Sequence, residues 1–559
     1  MTAPRSSAAP VVRRLVVYTI LFVLVLLTAT GLADLLGRLF ENLTDDLLAG
    51  GGSAGLAGAL TFSLIGGPLA VLLAWFAWRR LADPAERASL AWALYLVGMT
   101  TVALIVAGTA VLGGLAAAVT GEVWSAQAAT GLVWAVVWAV HGSVLRRSDR
   151  RPTRLPFTAA VLGGSYGLVI AVGGAVTALT VLFSTAITEL TAVSVGGGWW
   201  SSALRSLVWA AGGAALWWWH WRCDGGRRAR TALAEVALVG LGILGGCLLT
   251  LTGCGTVLYV LLRLAAAHTD ALPDLLDPLG LAVAAALVGG LVWAFHRDVV
   301  ARRSAGVRQA GTLVTSGIGL SVAATGIGVI VNALLAALST PLAGDSPRAL
   351  LLGGVSALLV GGPLWWAAWR PARVAPAPER RSTGRSVYLV AVFGISAIVA
   401  LISLLVIGFR LFDSLLAGDA GLVERVRAPL GLLVATALVA GYHFAIWRGD
   451  RAAVATGTPV GPPSVTSATP ATPPVIGELV LIMGPGAEPV VRHLREVTGA
   501  PVTLWQRTGA ASMPPDPAVL VRALDGVRGE RVVVIVADDG AVSVIEVAGI
   551  PLEPTAGRA

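Results

Sequence analysis

About twelve apolar stretches follow one another along the first 450 residues, each long enough to cross a bilayer and separated only by short polar loops. A spanning helix needs roughly 20 consecutive apolar residues, and a water-soluble core does not use apolar sequence in that rhythm. Lipid is therefore the main solvent of this chain. Composition agrees: 56% of the 559 residues are hydrophobic, 13% are charged, and the mean hydropathy is +0.81. Spans are expected near 11–33, 58–78, 88–117, 126–145, 156–187, 201–221, 231–263, 279–296, 310–338, 349–369, 386–409 and 428–447. The longest imply tilt, an interfacial first turn, or a kink at a glycine pair such as Gly173-Gly174 or Gly245-Gly246.

The stretches are not independent of one another. Tyr18, Tyr95, Tyr166 and Tyr388 each lie a few residues into an odd-numbered span, and the even-numbered spans end alike, in LAWFAWRR, WWWHWR, VWAFHR, WWAAWR and YHFAIWR among others. The spacing of the first three tyrosines defines a helical hairpin of about 70 to 77 residues, repeated six times. Most of the 19 tryptophans, Trp75, Trp218, Trp366 and Trp369 among them, fall at these endings, where indole rings suit the headgroup level and an aromatic belt is expected.

Charge fixes the orientation. The chain has no lysine, so all 40 of its positive charges are arginine. The N-terminal tail, the loops between hairpins and the segment after the last span hold 26 arginines, whereas the turns inside the hairpins and their flanks hold seven. Acids such as Asp34, Glu41, Asp45, Asp46, Glu122, Glu189, Asp270, Asp274 and Asp277 lie in the hairpin turns. The positive-inside rule then places both termini in the cytoplasm. The Arg-, Ala- and Gly-rich, lysine-free usage reads as the coding bias of a high-GC bacterium, so a bacterial cytoplasmic membrane is expected. Arg13 and Arg14 precede an apolar run without an evident small-residue cleavage site, which reads as an uncleaved first span. The pI near 10.4 follows from loop arginines and needs no nucleic acid as partner. Cys247 and Cys254 are two helical turns apart and too distant to pair, and Cys223 stands alone, so no disulfide framework is expected.

Beyond Arg451 an Ala/Thr/Pro-rich segment, 451–474, reads as a tether. From Val475 strand and helix patterns alternate: a strand at 479–483, a helix at 487–498, a strand at 502–505, a helix at 517–527, and strands at 532–536 and 542–547, with a tight turn at Asp538-Asp539-Gly540. The expected fold is an all-α polytopic membrane bundle of six hairpin repeats (1–450), followed by a small C-terminal α/β soluble domain (475–551) and a short tail (552–559).

The repeated hairpin, opened by an arginine and a tyrosine and closed by an aromatic-and-arginine stop, resembles a bacterial membrane family designated domain of unknown function 5671. Arg14 and Tyr18, Arg87 and Tyr95, and Arg385 and Tyr388 carry the likeness, which would cover residues 11–448. The fourth and fifth copies lack the tyrosine. The resemblance implies a repeated membrane domain and no activity or catalytic residues.

Candidates for chemistry are few. Glu235 and Asn332 are possible members of an intramembrane polar site, because ionisable and amide groups in lipid mark pathways or helix–helix hydrogen bonds. Glu235 lies only five residues after Arg230 and fits the interface equally. His141, His220, His296 and His443 recur at the ends of even-numbered spans and read as belt residues rather than metal ligands. Gly484-Pro485-Gly486 reads as a tight turn and lacks a phosphate-loop pattern. No catalytic or metal motif is present and no cofactor is expected. The expectation is a non-enzymatic membrane scaffold or signalling component whose partners are the bilayer and a cytoplasmic protein meeting the α/β domain. The alternative is a transporter or channel for a small solute or ion, built from parallel rather than inverted repeats.

Overall fold

The computed structural model describes residues 8–43, 53–191, 198–266, 271–338, 347–373, 382–418, 421–455, 478–498, 500–507, 516–524, 527, 531–537 and 541–547. The chain divides into two compact units, Met1–Gly457 and Thr458–Ala559. Residues 538–540, the acids Asp45, Asp46 and Asp270, and most of the expected tether lie outside the described residues. The first turn of that tether instead continues the last helix to Ala455.

Twelve long helical arms make up the first unit: α1 (Ala8–Leu43), α2 (Ser53–Arg80), α3 (Leu90–Thr120), α4 (Ser125–Arg146), α5 (Thr158–Thr191), α6 (Trp199–Trp218, extended by a π-helical turn, Trp219–Cys223), α7 (Ala232–Ala265), α8 (Leu279–Ala301), α9 (Ala305–Ala336), α10 (Pro347–Arg373), α11 (Thr383–Ala417) and α12 (Leu422–Ala455). Among the described residues, eleven helices are long and apolar enough to span a bilayer. Ser201, Ser202, Arg205 and several tryptophans keep α6 out of that set, yet it completes the third hairpin. Across the glycine pair Gly173-Gly174 the helix α5 is unbroken. Before Gly246 the helix α7 winds as π over Leu238–Gly245.

Packing adds a level above the hairpin. In each successive set of four helices, the first lies against the fourth: α1 on α4, α5 on α8, α9 on α12. The period of the bundle is thus two hairpins, giving three four-helix units. Capping follows the same period, since Ser89, Thr231 and Ser382 cap the third helix of each unit by accepting from the Trp92, Ala234 and Arg385 amides. Lipid does not drive helices together as water does, so close backbone approach matters. A Cβ on Gly174 of α5 would lie 2.9 Å from Ala210 Cα and Ser206 O of α6, and one on Gly326 of α9 would lie 2.6 Å from Leu358 N of α10.

The second unit is a four-stranded sheet of order β2-β1-β3-β4, with β1 (Glu478–Met483), β2 (Val502–Gln506), β3 (Arg531–Val536) and β4 (Val542–Val547). β1 pairs parallel with β2 and β3, and β4 pairs antiparallel with β3. The helices α13 (Glu488–Thr498) and α14 (Pro517–Leu524) contribute Val490, Leu494 and Leu520 to one core with Leu479, Leu481, Met483, Val532, Val534 and Val536. Strand side chains alternate between faces, so Val480, Ile482, Trp505, Val533, Ile535 and Ile545 point away from that core.

Candidate functional site

At the end of the bundle where the loops between hairpins lie, the first unit is closed by a buried ion pair and an aromatic stack. Glu86, in the short loop between α2 and α3, is almost fully buried; its Oε2 lies 2.8 Å from Arg14 Nε, and its Oε1 accepts from Tyr18 at 3.1 Å. Tyr18 packs on Trp92 and Tyr95, with ring centroids 5.4 and 5.7 Å away. Tyr95 OH then meets His141 Nε2 of α4 at 3.0 Å, and His141 Nδ1 donates to Val137 O. Trp92 and Arg150 donate to the Arg150 and Trp78 carbonyls, which ties the next loop onto the same cluster. Burial without water strengthens each of these contacts and makes each expensive to break.

The third unit builds its closure from different residues at the same place. Arg385, 2% exposed, lies 2.8 Å from Asp450 Oδ2, donates to Ala372 O and sits over the Trp369 ring. Trp369 is fully buried and donates to Tyr442 OH at 2.9 Å, and Tyr388 OH meets Ser316 Oγ at 3.1 Å. His443 fits between Trp369 and Tyr388, with Nδ1 bonded to Val439 O. The belt expectation therefore fails for these groups. Trp75, Trp218 and Trp366 are exposed as a belt requires, but Trp369, Trp92, His296 and His443 are sealed inside helix seams.

Toward the hairpin-turn end, both units open into a cavity between their first, third and fourth helices. In the first unit it measures about 570 Å³ and runs from Leu26 to Glu41 along α1, past Val102 and Trp134. In the third it measures about 540 Å³ and runs from Gly317 to Asn332 along α9, past Val392 and Ala435. Each covers sixteen residues of its first helix, a rise of roughly 22 Å. Three of the four hydroxyls lining the second cavity are committed, since Ser321, Thr325 and Thr436 donate to the carbonyls four residues before them. Its wall therefore presents mostly carbon, with Ile395 and Leu432 open to the lipid side.

The middle unit has the same packing plan and a different closure. His296 Nδ1 bonds to Val292 O, as His141 and His443 bond four residues back, and its ring rests on Gly242 of the π-helical segment. The buried Arg303 donates to the Ala229 and Arg227 carbonyls. Between the first and middle units, Asp224 lies 3.2 Å from Arg146 and 2.8 Å from His220 Nδ1, the latter too oblique for a hydrogen bond. Burial raises the Asp224 carboxyl, but these neighbours outweigh it and hold it below its ordinary value of 3.8. A depressed folded-state pKa adds stability that is present above the unfolded value and lost as pH falls through the folded one. Asp224→Asn is expected to remove this increment, so its thermal transition should lose less than that of the wild type between neutral pH and about pH 3.

Glu235 and Asn332 do not meet. Glu235 is half-buried in the first turn of α7, just after the Thr231 cap, whereas Asn332 lies near the other end of α9, which runs the same way. Asn332 Oδ1 accepts from Arg427 Nη1 of α12 at 2.8 Å and forms the rim of the third unit's cavity. Arg385 stands out in the sequence as an opening arginine of the repeat, but its acid partner Asp450, and Glu86, escaped sequence reading. Their signal was an acid within a stretch otherwise rich in arginine, since a lone carboxylate there has partners on several sides. In the C-terminal unit Gly486, at φ +98°, turns the chain into α13, whose first turn carries Glu488; the acid disfavours an anion there.

Three tandem four-helix units of apolar arms define a multi-pass membrane protein. Residues 14–140 and 311–438, within the first and third units, match the model of the family described as Domain of unknown function (DUF5671). The match is narrower than the expected 11–448 and leaves out the middle unit, which nevertheless repeats their packing. No curated protein and no solved structure matches the chain.

Proposed function

We propose that this is a non-enzymatic scaffold or signalling component of a bacterial cytoplasmic membrane, presenting its α/β unit to a soluble cytoplasmic protein. The observation that carries this reading is the sheet face turned away from the α13 and α14 core. Trp505 on β2, at one edge of the sheet, is 60% exposed there, and Ile545 on β4, at the opposite edge, is half exposed. Between them Ile482, Val533 and Ile535 of β1 and β3 are partly exposed, and an apolar face of this kind suits a protein interaction. Closure of the first and third units at their loop ends, and the bonding of most cavity hydroxyls to their own helices, favour a static support over a polar pathway.

The transporter reading draws on one observation, the cavity of about 540 Å³ that reaches Asn332. Cysteine accessibility separates the two. With the native cysteines replaced, Ile545→Cys should react with a thiol reagent several-fold more slowly in cell lysate than after purification, and Thr325→Cys should never be labelled from the cytoplasmic side by an impermeant reagent. Equal Ile545→Cys rates would sink the presentation role. Labelling of Thr325→Cys from both sides would establish alternating access instead.

A further inference from the structure

One helix pairing recurs at both junctions between the units. α3 of the first unit lies on α6 of the middle unit, and α7 of the middle unit lies on α10 of the third: a third helix against the second helix of the following unit. At the first junction Leu216 of α6 comes over Gly108 and Leu112 packs onto Gly212, and beside them Tyr166 of α5 comes over Gly108 and bonds to Thr109 at 2.8 Å. At the second, Tyr259 comes over Gly353, and Ser356 donates to Gly255 O. An arginine pins each junction near its hairpin-turn end: Arg205 reaches Thr120 and Glu122, and Arg348 reaches Ala266 O.

A linear series built this way has two unused halves. Among the described residues, α2 has no third helix of another unit against it, and α11 no second helix. Burial reflects this, because only 6% of the most apolar stretch of α11 is buried, against 44% for α3 and 33% for α7. The exposed face of α11 is moreover the junction face. Tyr388 stands against His443 of α12 as Tyr95 stands against His141 of α4. Counting ten, thirteen, fourteen and seventeen residues onward from Tyr95 reaches Ile105, Gly108, Thr109 and Leu112, the junction residues of α3; from Tyr388 the same steps reach Ile398, Leu401, Ile402 and Leu405. All four of these are more than half exposed. On α2, Leu64, Val71 and Leu72 are exposed to a similar degree, and Gly58 has open space where a Cβ would stand.

We propose that the protein associates head to tail within the membrane, α11 of one copy docking on α2 of a second copy. Lipid can cover any apolar face. What selects a second copy is that the chain already forms this helix pairing at both internal junctions, and that copying it keeps both molecules in the same orientation across the bilayer. Such a contact is heterologous, so each copy offers one half on each flank and the association propagates or closes into a ring.

The test uses two differently tagged full-length copies, freed of native cysteines by Cys223→Ser, Cys247→Ala and Cys254→Ala, and co-expressed. One carries Ile402→Cys and the other Val71→Cys, and native membranes are oxidised. The expected product is a mixed-tag dimer of twice 57.0 kDa, at least tenfold more abundant than either same-tag dimer. It should fall at least tenfold when Leu401→Ala and Leu405→Ala are added, with the thermal transition of the bundle unchanged. Predominant pairing of two Ile402→Cys copies would indicate a symmetric dimer and overturn the proposal. A misfolded variant would also give no product, so the wild-type chain, extracted with its native lipids, is weighed separately. Multiples of 57.0 kDa are expected, and single copies alone overturn the idea.

Discussion

Gly174→Ala should destabilise the bundle by about 3 kcal/mol, whereas Gly173→Ala, one residue earlier in the same helix, should be neutral or stabilising by up to about 1 kcal/mol. A Cβ on Gly174 would press on the α6 backbone at Ala210 and Ser206, and on Gly173 it would meet nothing within 4 Å. Overpacking in a core is normally relieved by rotamer shifts. Here the opposing atoms are main chain, so α5 and α6 must separate along their length, and Gly167 and Gly213 would lose their own close contacts with it. Thermal unfolding of the detergent-solubilised protein, followed by helical signal, reads both variants. Similar losses in the two would remove close backbone approach as the basis of this hairpin.

Arg385→Ala should be the most damaging single change at the loop end of the third unit, costing about 3 kcal/mol. The guanidinium holds Asp450, Ala372 O and the face of Trp369 together, and its removal leaves a largely buried carboxylate without its cation. Asp450 keeps some solvent contact, which sets the figure at the low end of buried-pair losses. The double variant Arg385→Met, Asp450→Asn removes both charges and should recover at least half of the loss, because the cost lies in the orphaned charge. Equal instability of the single and double variants would place the contribution in packing on Trp369. Arg385→Lys should fall between, since an ammonium cannot reproduce the planar fork.

Part of the candidate site was legible in advance. The tyrosines at 18, 95 and 388 were visible as a repeat, and all three line closures against a fourth or neighbouring helix. Tyr166 occupies the same place in its repeat but reaches out to Thr109 and the Ile105 carbonyl across the unit junction. The repeat therefore announced a position without its task. The histidines were visible too, yet their burial was not, because whether an imidazole at a helix end faces headgroups or a neighbouring helix depends on the rotation of that helix in the bundle.

What the amino-acid order determined by itself was the set of helices, their hairpin pairing and the α/β pattern of the tail. Each follows from a local quantity: the length of an apolar run against bilayer thickness, a short turn that obliges neighbours to pack, or the alternation of side chains along a strand. The choice of non-sequential partners was decided only in three dimensions. Between helices in lipid a leucine gains little by leaving a hydrocarbon solvent for a helix of the same polarity, so apolar pattern cannot say which face meets which. Backbone approach at Gly328 and Gly431, and at Gly280 against Ser184, joins the first helix of a unit to its fourth. That closure, rather than the hairpin, sets the period of the bundle and leaves α2 and α11 as its open flanks.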